Sequence, residues 1–530
     1  MKKNNDIFYL ILLLGLGLRL YFAFSSHYIS PDGTQYARLG YHLWHEFQYV
    51  SQGSQFPDIV QPPLYPATLG FFTLFVSPEY AGKLASIIFG LLLIAAVFRF
   101  TRWLSGNEQA ANAAALVVAL NPGLVAVSSQ VASESLFFFL LFAAFAAVLR
   151  YLRRPSFKTV LWAGLLFGLA VWTRPEALLY FAVSALILLI ERVRWRHWLG
   201  FVAVSLVFWG AYFAWSSTQL DRFTLYPKLD FVRAQGALAR HFAASDRGSG
   251  HRMSHLARED RFRYSLTPDG RELAADALFL KGDRRILGAQ GTSRIPAKTK
   301  LRRAAEHYVQ NARLAAGKFL HGKAFPLLYW IFLLAGLWGL SLRKYRREVR
   351  AGVLFLLPLA LIVFSNTEQR FFYIVPILAA PLLGRGLLQT ARFLNAHKNR
   401  RGSWIVLLLL LFLGMLPGYG DIAGKTQRKD YYFQAGKWLR AHVPPGERVA
   451  ATVPQAVFFA GRNYCVLPFA PLDSLRNYVR GKDVDFILLE DGDSLRRPNV
   501  NQNALPSFVE KKETAIINKH RFILLRVKKE

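Results

Sequence analysis

Long apolar runs, separated by polar and basic segments, extend from the N-terminus to about residue 417. Such runs predict membrane-spanning helices, because about 20 helical residues cross a bilayer core. The first run follows Met1-Lys2-Lys3 and is longer than the apolar core of a signal peptide, which favours an uncleaved helix over the alternative of a cleaved leader. The predicted spans, eleven in number, are 7–24, 80–98, 110–127, 134–149, 159–173, 177–190, 199–215, 324–341, 351–364, 372–388 and 404–417.

Clusters of Lys and Arg orient these spans. If the N-terminus lies in the cytoplasm, every second loop carries a basic cluster, as at 150–158 and 343–350. Cytoplasmic loops of membrane proteins are enriched in Lys and Arg, so the pattern predicts a cytoplasmic N-terminus. Three large segments, at 25–79, 216–323 and 418–530, then lie on the outer side.

The outer segments predict the domain organisation. Residues 1–417 form a transmembrane domain that includes the first outer loop, 25–79, and the large outer loop, 216–323, which we expect to contain short helices ending in one near 303–320. Residues 418–530 form a small extracytoplasmic α/β domain, in which β-branched and aromatic runs indicate strands. Its predicted elements are a helix at 430–442 and strands at 448–453, 484–490 and 521–527.

Composition supports a membrane protein with many spans. Of the 530 residues, 53% are hydrophobic and only 19% are charged, whereas soluble domains carry about 25% charged residues. The net charge of +33 would suggest a nucleic-acid partner in a soluble protein. Here basic cytoplasmic loops explain the charge, and we expect no nucleic-acid partner. The single cysteine, Cys465, excludes an intrachain disulfide.

The first outer loop opens with a helix-start signal, Ser30-Pro31-Asp32-Gly33, in which Ser30 is the cap and Pro31 the first helical residue. Apolar residues then recur at helical spacing, which predicts an amphipathic helix at the membrane surface. Asp32 has two explanations. The helix dipole favours an acidic residue there, and the same field suits a carboxylate that acts as a general base. The spaced apolar residues are Tyr36, Leu39, Leu43, Trp44 and Phe47.

A double proline marks the end of that loop. The motif Gln61-Pro62-Pro63-Leu64-Tyr65-Pro66 precedes an apolar run to Val76 that is too short to span a bilayer. We therefore expect a second interfacial or re-entrant helix. The prolines fit a rigid turn into it, and Gln61 and Tyr65 are candidates to face a site.

Ionisable residues gather at the outer ends of several spans. Glu134, the pair Arg174 and Glu176, and the pair Glu368 and Arg370 all lie there. Each alone is explained by structural pairing. Together they suggest a site, since residues of this type beside membrane spans are functional candidates. The planar guanidinium of arginine gives a phosphate two parallel charge-assisted hydrogen bonds, so the pattern fits a lipid-anchored phosphate.

Histidines in the large outer loop leave one cofactor question open. His251 and His255 stand four residues apart, a spacing that binds a metal if the segment is helical. The nearby Gly248 and Gly250 argue against a rigid helix. The sequence thus establishes no cofactor and leaves a divalent metal as an alternative.

These motifs, in this order, resemble the GT-C membrane glycosyltransferases, and most closely the bacterial protein-mannosyltransferase-like and aminoarabinose-transferase-like family that uses polyprenyl-phosphate sugars. The resemblance covers roughly residues 1–390, and residues 418–530 are more loosely similar to the outer domains of bacterial members. The matching motifs are Pro31-Asp32-Gly33 with Tyr36-Ala37, Pro62-Pro63-Leu64-Tyr65-Pro66, Ser133-Glu134, Thr173-Arg174-Pro175-Glu176, and Arg370-Phe371 with Pro376 and Pro381.

The resemblance implies an α-helical GT-C fold, in which the apolar runs predict about eleven transmembrane helices. It also implies sugar transfer from a polyprenyl-phosphate donor to a hydroxyl of a lipid, glycan or protein acceptor, at the outer face of a bacterial inner membrane. Asp32 would be the general base, and Arg370 and Arg174 would lie near the donor phosphate or acceptor, with Arg370 the stronger phosphate candidate. The remaining substrate-binding candidates are Glu134, Gln61, Tyr65, Arg38 and Tyr373.

The chain departs from the family at two places. Gly33 stands where many relatives have a second acidic residue, and Val60-Gln61 stands where aminoarabinose transferases have an acidic–basic pair. Both departures weaken an aminoarabinose assignment and a metal site taken from it. Two alternative functions stay open: a transporter or flippase of lipid-linked sugars, although transporters place their sites near the midplane, and a non-catalytic scaffold.

Overall fold

A computed structural model of the chain describes residues 5–50, 57–220, 223–224, 297–320, 325–338, 340, 345–365, 368–397, 400–468, 472–490 and 505–528. The chain forms two compact units. The helical unit comprises Met1–Ser26, Pro62–Ala211 and Arg294–Gln427, and the α/β unit comprises His27–Gln61, Tyr212–Ser293 and Arg428–Glu530. Residues 27–61 of the first outer loop thus belong to the same unit as residues 428–530. The domain boundaries predicted from sequence stay predictions.

The elements follow one another in chain order. The helices are α1 (Asn5–Phe24), α2 (Pro31–His45), α3 (Leu64–Phe72), α4 (Pro78–Ser105), α5 (Glu108–Leu120), α6 (Pro122–Ser128), α7 (Glu134–Arg153), α8 (Phe157–Val171), α9 (Ala177–Ile190), α10 (Trp195–Leu220), α11 (Ala297–Leu320), α12 (Leu327–Leu337), α13 (Arg346–Phe355), α14 (Leu357–Ser365), α15 (Ile374–His397), α16 (Arg400–Gln427), α17 (Tyr431–His442), α18 (Gln455–Ala460) and α19 (Leu472–Gly481). A 3₁₀ turn covers Gln369–Tyr373, and the strands are β1 (Arg448–Ala451), β2 (Asn463–Val466), β3 (Phe486–Glu490), β4 (Val509–Ile517) and β5 (His520–Val527).

The helices of the predicted spans are apolar and, in several cases, long enough to cross a bilayer. Within the described residues, six helical ranges meet both criteria, so the chain is a multi-pass membrane protein, while the predicted count of eleven stays a prediction. The predicted span 351–364 is divided into α13 and α14, because Pro358 has no N–H to continue the helical hydrogen bonds. The six ranges are Asp6–Phe24, Pro78–Ser105, Glu134–Arg153, Trp195–Leu220, Gln369–Leu394 and Leu407–His442.

The predicted span 110–127 is a broken helix. Its two parts, α5 and α6, meet at an angle of 62°. Pro122 starts α6, and the side chain of Asn121 caps it by accepting a hydrogen bond from the Leu124 N–H at 3.0 Å. A proline lacks the N–H that would continue α5, so the break leaves carbonyl groups at the end of α5 without helical donors.

Three side chains from distant helices donate hydrogen bonds to the last carbonyls of α5. Arg19 comes from α1, Tyr329 from α12 and Tyr419 from α16, and all three are buried. Buried backbone carbonyls need such partners, because an unpaired polar group is costly away from water. The bonds are Tyr329 to Val117 O at 2.9 Å, Arg19 to Ala119 O at 3.2 Å and Tyr419 to Leu120 O at 2.6 Å.

Helices α12 and α15 cross at two glycines. A Cβ built on Gly386 would lie 1.7 Å from the carbonyl oxygen of Phe332, and one on Gly336 would lie 2.1 Å from that of Leu382. Only a residue without a Cβ allows backbones this close. Small residues at helix crossings are a general device of membrane proteins.

The α/β unit contains a five-stranded mixed sheet with the order β2-β1-β3-β5-β4. Strand β1 pairs in parallel with β2 and β3, whereas β5 pairs antiparallel with β3 and β4. The predicted helix and three predicted strands are confirmed as α17, β1, β3 and β5. Strands β2 and β4 were not predicted; β2 has four residues, and β4 exposes charged side chains such as Lys511 and Lys512, as edge strands often do.

The helix predicted in the first outer loop is confirmed as α2, and its place at the membrane surface stays a prediction. Its cap is Ser30, whose Oγ accepts a hydrogen bond from the Gly33 N–H at 3.0 Å. The helix ends at His45, so the prediction was wrong to extend its apolar face to Phe47, which has a positive φ of 55° and is exposed. A second helix of this loop is confirmed as α3, and the helix predicted near 303–320 as α11. The interfacial or re-entrant position of α3 stays a prediction.

Candidate functional site

Five charged residues of the helical unit form one cluster, here called the arginine–carboxylate cluster: Glu134, Arg174, Glu176, Glu368 and Arg370. Glu134 is the first residue of α7, and Arg174 and Glu176 lie in the turn between α8 and α9. Arg370 lies in the 3₁₀ turn before α15, next to Glu368. Sequence reasoning proposed that these residues converge, and within the helical unit they do.

Glu134 is the centre of the cluster. Its Oε1 lies 2.8 Å from Arg174 Nη1 and 3.1 Å from Arg370 Nη1. Arg174 Nη1 also donates to Ser133 Oγ at 3.2 Å. The carboxylate of Glu134 is buried at the N-terminal end of α7, where the helix dipole stabilises negative charge. One carboxylate thus orients two guanidinium groups from different parts of the chain.

The two arginines differ in accessibility. The Arg174 side chain is only 9% exposed, and its guanidinium lies 5.5 Å from the ring centre of Phe371 and 5.9 Å from that of Phe137. The Arg370 side chain is 34% exposed, and its Nε lies 2.5 Å from Glu368 Oε2. Glu368 itself is largely exposed. An incoming anion therefore reaches Arg370 more readily than Arg174.

The turn that carries Arg174 is held by backbone contacts. The Trp172 carbonyl accepts a hydrogen bond from the Leu64 N–H at 3.0 Å, and the Trp172 indole N–H donates to Phe208 O at 2.7 Å. The Arg174 N–H donates to Ala170 O at 2.8 Å. Contacts from α3 and α10 thus fix the position from which Arg174 reaches Glu134.

Tyr373 and Tyr65, two predicted substrate-binding residues, are buried. The ring of Tyr373 packs on the backbone of α6, where a Cβ on Gly123 would lie 2.5 Å from Tyr373 Cε1. The Tyr65 hydroxyl accepts from the Ala132 N–H at 2.8 Å and lies 2.9 Å from Ser86 Oγ. These contacts of Tyr373 and Tyr65 hold α6 and the start of α7 in place.

In the α/β unit, Asp58 organises a second polar network that sequence reasoning missed. Asp58 Oδ1 accepts from the Val60 and Gln61 N–H groups at 2.9 Å each, and Oδ2 accepts from Gln35 Nε2 at 2.5 Å. The only signal for this network in the sequence was the position of Asp58, two residues before Val60 and three before Gln61. That spacing is the pattern of an Asx turn. The network holds the segment before the double proline against α2.

The other predicted residues of this unit take part in or flank that network. Gln61 Nε2 donates to Gln35 Oε1 at 3.3 Å, and the Gln61 carbonyl accepts from the Tyr49 hydroxyl at 2.8 Å. Burial, followed by the negative charge of Asp58, raises the pKa of Tyr49 well above its usual value, so Tyr49 stays a neutral donor. Asp32 lies three residues before Gln35 on α2 and is partly exposed.

Arg38 packs within the α/β unit as a cation–π partner. Its guanidinium lies 5.0 Å from the ring centre of Tyr464 and 5.7 Å from that of Phe458. Burial lowers its pKa to about 10, which still leaves it charged at neutral pH. This packing joins α2 to β2 and α18.

The described residues contain no group of three His, Cys, Asp or Glu side chains able to hold a metal ion. Asp58 is engaged by N–H donors on both oxygens, so it does not fit a metal ligand. The histidines considered for a metal, His251 and His255, lie outside the described residues.

Comparisons with known proteins agree with this architecture. The family model of dolichyl-phosphate-mannose-protein mannosyltransferases matches residues 60–215. The crystal structure of ArnT from Cupriavidus metallidurans in the apo state aligns over 98% of each chain, with a TM-score of 0.61 and 14% identity. The chain therefore has the GT-C fold of a membrane glycosyltransferase. The predicted resemblance and fold class are confirmed.

A second solved structure with the same fold is the archaeal oligosaccharyltransferase AglB from Archaeoglobus fulgidus, in complex with an inhibitory peptide and a dolichol-phosphate. It aligns over 92% of this chain and 69% of its own, with a TM-score of 0.55 and 14% identity. None of the curated proteins matches the chain.

Proposed function

We propose that the protein transfers a sugar from a polyprenyl-phosphate donor to an acceptor hydroxyl at the outer face of a bacterial inner membrane. The acceptor is a lipid, a glycan or a protein. The observation that carries the proposal is the pair of arginines held by Glu134 at the ends of apolar helices, with Arg370 partly exposed. A cationic group at that depth suits a phosphate whose lipid tail lies in the bilayer.

Arg370 is the proposed phosphate ligand, and Arg174 supports it. A guanidinium binds phosphate through two parallel charge-assisted hydrogen bonds, and water exclusion strengthens them. Because Glu134 contacts both arginines, it limits their rotation before the donor binds. Preorganised charge of this kind stabilises the negative charge that develops on a leaving phosphate.

Asp32 is the proposed general base. It lies in the first turn of α2, a helix whose start is fixed by the Ser30 cap. The Gln35–Asp58 hydrogen bond and the packing of Arg38 on Tyr464 hold the same helix. A base needs a fixed position relative to the proton that it removes, and general base catalysis contributes about 10²–10⁴-fold to a rate.

The proposed reaction is one displacement. The acceptor oxygen forms a bond to the anomeric carbon, while the bond between that carbon and the phosphate oxygen breaks. The acceptor proton passes to Asp32, and the bonding electrons leave with the polyprenyl phosphate, whose charge the arginines stabilise. Attack opposite the phosphate inverts the anomeric configuration, as the family resemblance implies.

Two comparisons support a lipid-linked donor. The matching family model describes enzymes that use dolichyl-phosphate mannose, and the AglB structure contains a dolichol-phosphate. Dolichol-phosphate is a polyprenyl-type lipid phosphate, so we carry that donor class to this chain. The basic clusters of alternate loops support a site on the outer side.

The experiment that tests the proposal is a transfer assay with purified protein in detergent. Radiolabelled polyprenyl-phosphate sugars are offered as a panel, with a membrane extract as the source of acceptors. We expect label to move from at least one donor to an acceptor with the wild type, and the Asp32→Asn variant to transfer at least about 100-fold more slowly.

The control is the folded state of the variant, monitored by its elution volume and unfolding temperature. Equal transfer by wild type and Asp32→Asn would remove Asp32 from the chemistry and make Glu134 the next candidate. Donor binding without transfer to any acceptor would favour a flippase, and absence of both binding and transfer would favour a scaffold.

A further inference from the structure

A pocket with basic and aromatic walls opens between the N-terminal end of α1 and the C-terminal end of α4. Its volume is about 440 Å³. Phe8 of α1 stacks on Phe98 of α4, with ring centres 4.1 Å apart, and forms one wall. The proposed function uses none of these residues. The lining residues are Phe8, Tyr9, Phe98, Arg99, Arg102 and Trp103.

The pocket lies at the other end of the spans from the arginine–carboxylate cluster. Arg153, the last residue of α7, places its guanidinium 5.0 Å from the ring centre of Trp103. Glu134 is the first residue of the same 20-residue helix. A helix of that length measures about 30 Å, so a bilayer thickness separates the pocket from the cluster.

The charges in the pocket suit an anion. In the described part of the chain, no acidic side chain pairs with Arg99, which is exposed on the last turns of α4. Arg102 lies 3.5 Å from Glu108 Oε2, a loose and partly exposed pair that competes little for its other N–H groups. Two guanidinium groups one turn apart therefore line the pocket, and among the described residues only Arg102 pairs with a carboxylate.

The surroundings point to a lipid as the source of that anion. From the pocket, α1 continues with the exposed residues Leu10 and Leu13, and α4 runs back past the exposed Leu92. Acyl chains of a phospholipid would cover this apolar surface while the headgroup occupies the pocket. Tyr9 and Trp103 are of the type that lies at headgroup depth.

We infer that this pocket binds the phosphate headgroup of an anionic phospholipid. Basic pockets between membrane helices are known to recognise such headgroups, and each Lys or Arg near an anionic surface strengthens the attraction. Removing both charges should therefore weaken retention of an anionic lipid by at least about tenfold.

The test compares lipid retention by native mass spectrometry of the full-length protein in neutral detergent. The probes are phosphatidylglycerol, phosphatidylcholine and inorganic phosphate. The variant is Arg99→Gln with Arg102→Gln, and the matched control is Arg154→Gln with Arg196→Gln, which removes the same charge from other exposed basic residues. The unfolding temperature of each protein confirms folding.

We expect phosphatidylglycerol to remain on the wild type and the control but to be lost about tenfold more readily from the pocket variant. Phosphatidylcholine should show no such difference. Equal retention of phosphatidylglycerol by all three proteins would overturn the inference. Displacement of the lipid by inorganic phosphate at similar concentration would also overturn it, because the site would then recognise a free anion.

Discussion

Glu134 and Arg174 form a buried ion pair, 2.8 Å between Oε1 and Nη1, that joins the first turn of α7 to the turn after α8. Breaking a buried pair by removing one partner costs about 3–5 kcal/mol, since it leaves an uncompensated charge. We therefore expect Glu134→Gln to lower the unfolding free energy by an amount in that range. Thermal unfolding of the purified protein in detergent measures it.

The control for Glu134→Gln is an exposed pair in the same unit. Arg302 and Glu306 of α11 lie 2.9 Å apart with side chains 82% and 61% exposed. Arg302→Gln should change stability by less than about 0.5 kcal/mol, because exposed helical pairs contribute little. Similar losses for both variants would show that the Glu134–Arg174 pair is not a buried, stabilising contact.

Arg370 should affect donor use more than stability. Its side chain is partly exposed, and Arg370→Gln leaves its buried partner Glu134 still paired with Arg174. A lost hydrogen bond to a charged group costs about 1.5–3 kcal/mol, so kcat/KM for the donor should fall about 10- to 100-fold. Arg392→Gln, an exposed arginine of α15, is the control and should leave kcat/KM unchanged. An unchanged kcat/KM for Arg370→Gln would contradict the phosphate role.

Gly123 tests whether the packing of Tyr373 on α6 matters. A Cβ at Gly123 would lie 2.5 Å from Tyr373 Cε1, so Gly123→Ala must displace the ring or the helix. Such overpacking costs about 1–3 kcal/mol. We expect a lower unfolding temperature and reduced transfer. Gly317→Ala in α11, where a Cβ meets no atom within 4 Å, should be neutral or stabilising, and a neutral Gly123→Ala would refute the tight contact.

Asp58 should stabilise the folded structure of the first outer loop. Its two oxygens accept three hydrogen bonds, and Asp58→Asn replaces one acceptor oxygen with an NH₂ group. An unsatisfied buried group costs about 1–3 kcal/mol, so the variant should unfold at a lower temperature. Asp483→Asn is the control, because its φ of 48° suits asparagine equally well. Equal stability of both variants would mean that the Asp58 network contributes nothing.

Elements that are set by local signals could be predicted from the sequence. The start of α2 follows from the Ser30 cap and Pro31 alone, and strands β3 and β5 follow from apolar runs. The convergence of Glu134 and Arg174 was accessible because the alternation of loops puts both residues on one side of the membrane.

Features that depend on distant partners were not accessible from the sequence. The hydrogen bond from Gln35 to Asp58 joins residues 23 positions apart, and no pattern in the sequence pairs them. The donors that cap the end of α5 come from three helices, and nothing in the sequence around Arg19 or Tyr419 marks them as partners of a broken helix. The angle between α5 and α6 was also not predictable from the sequence, because the motif Asn121-Pro122 fits an ordinary break between two helices equally well.

The most direct test of sugar transfer is the stoichiometry of one turnover. With the donor identified by the panel and excess protein, sugar on the acceptor and free polyprenyl phosphate are measured together. We predict that they appear in a one-to-one ratio with the wild type, and that Asp32→Asn binds the donor but forms both about 10²–10⁴-fold more slowly. Donor that the wild type binds but leaves intact, or sugar that leaves together with its phosphate, would contradict sugar transfer.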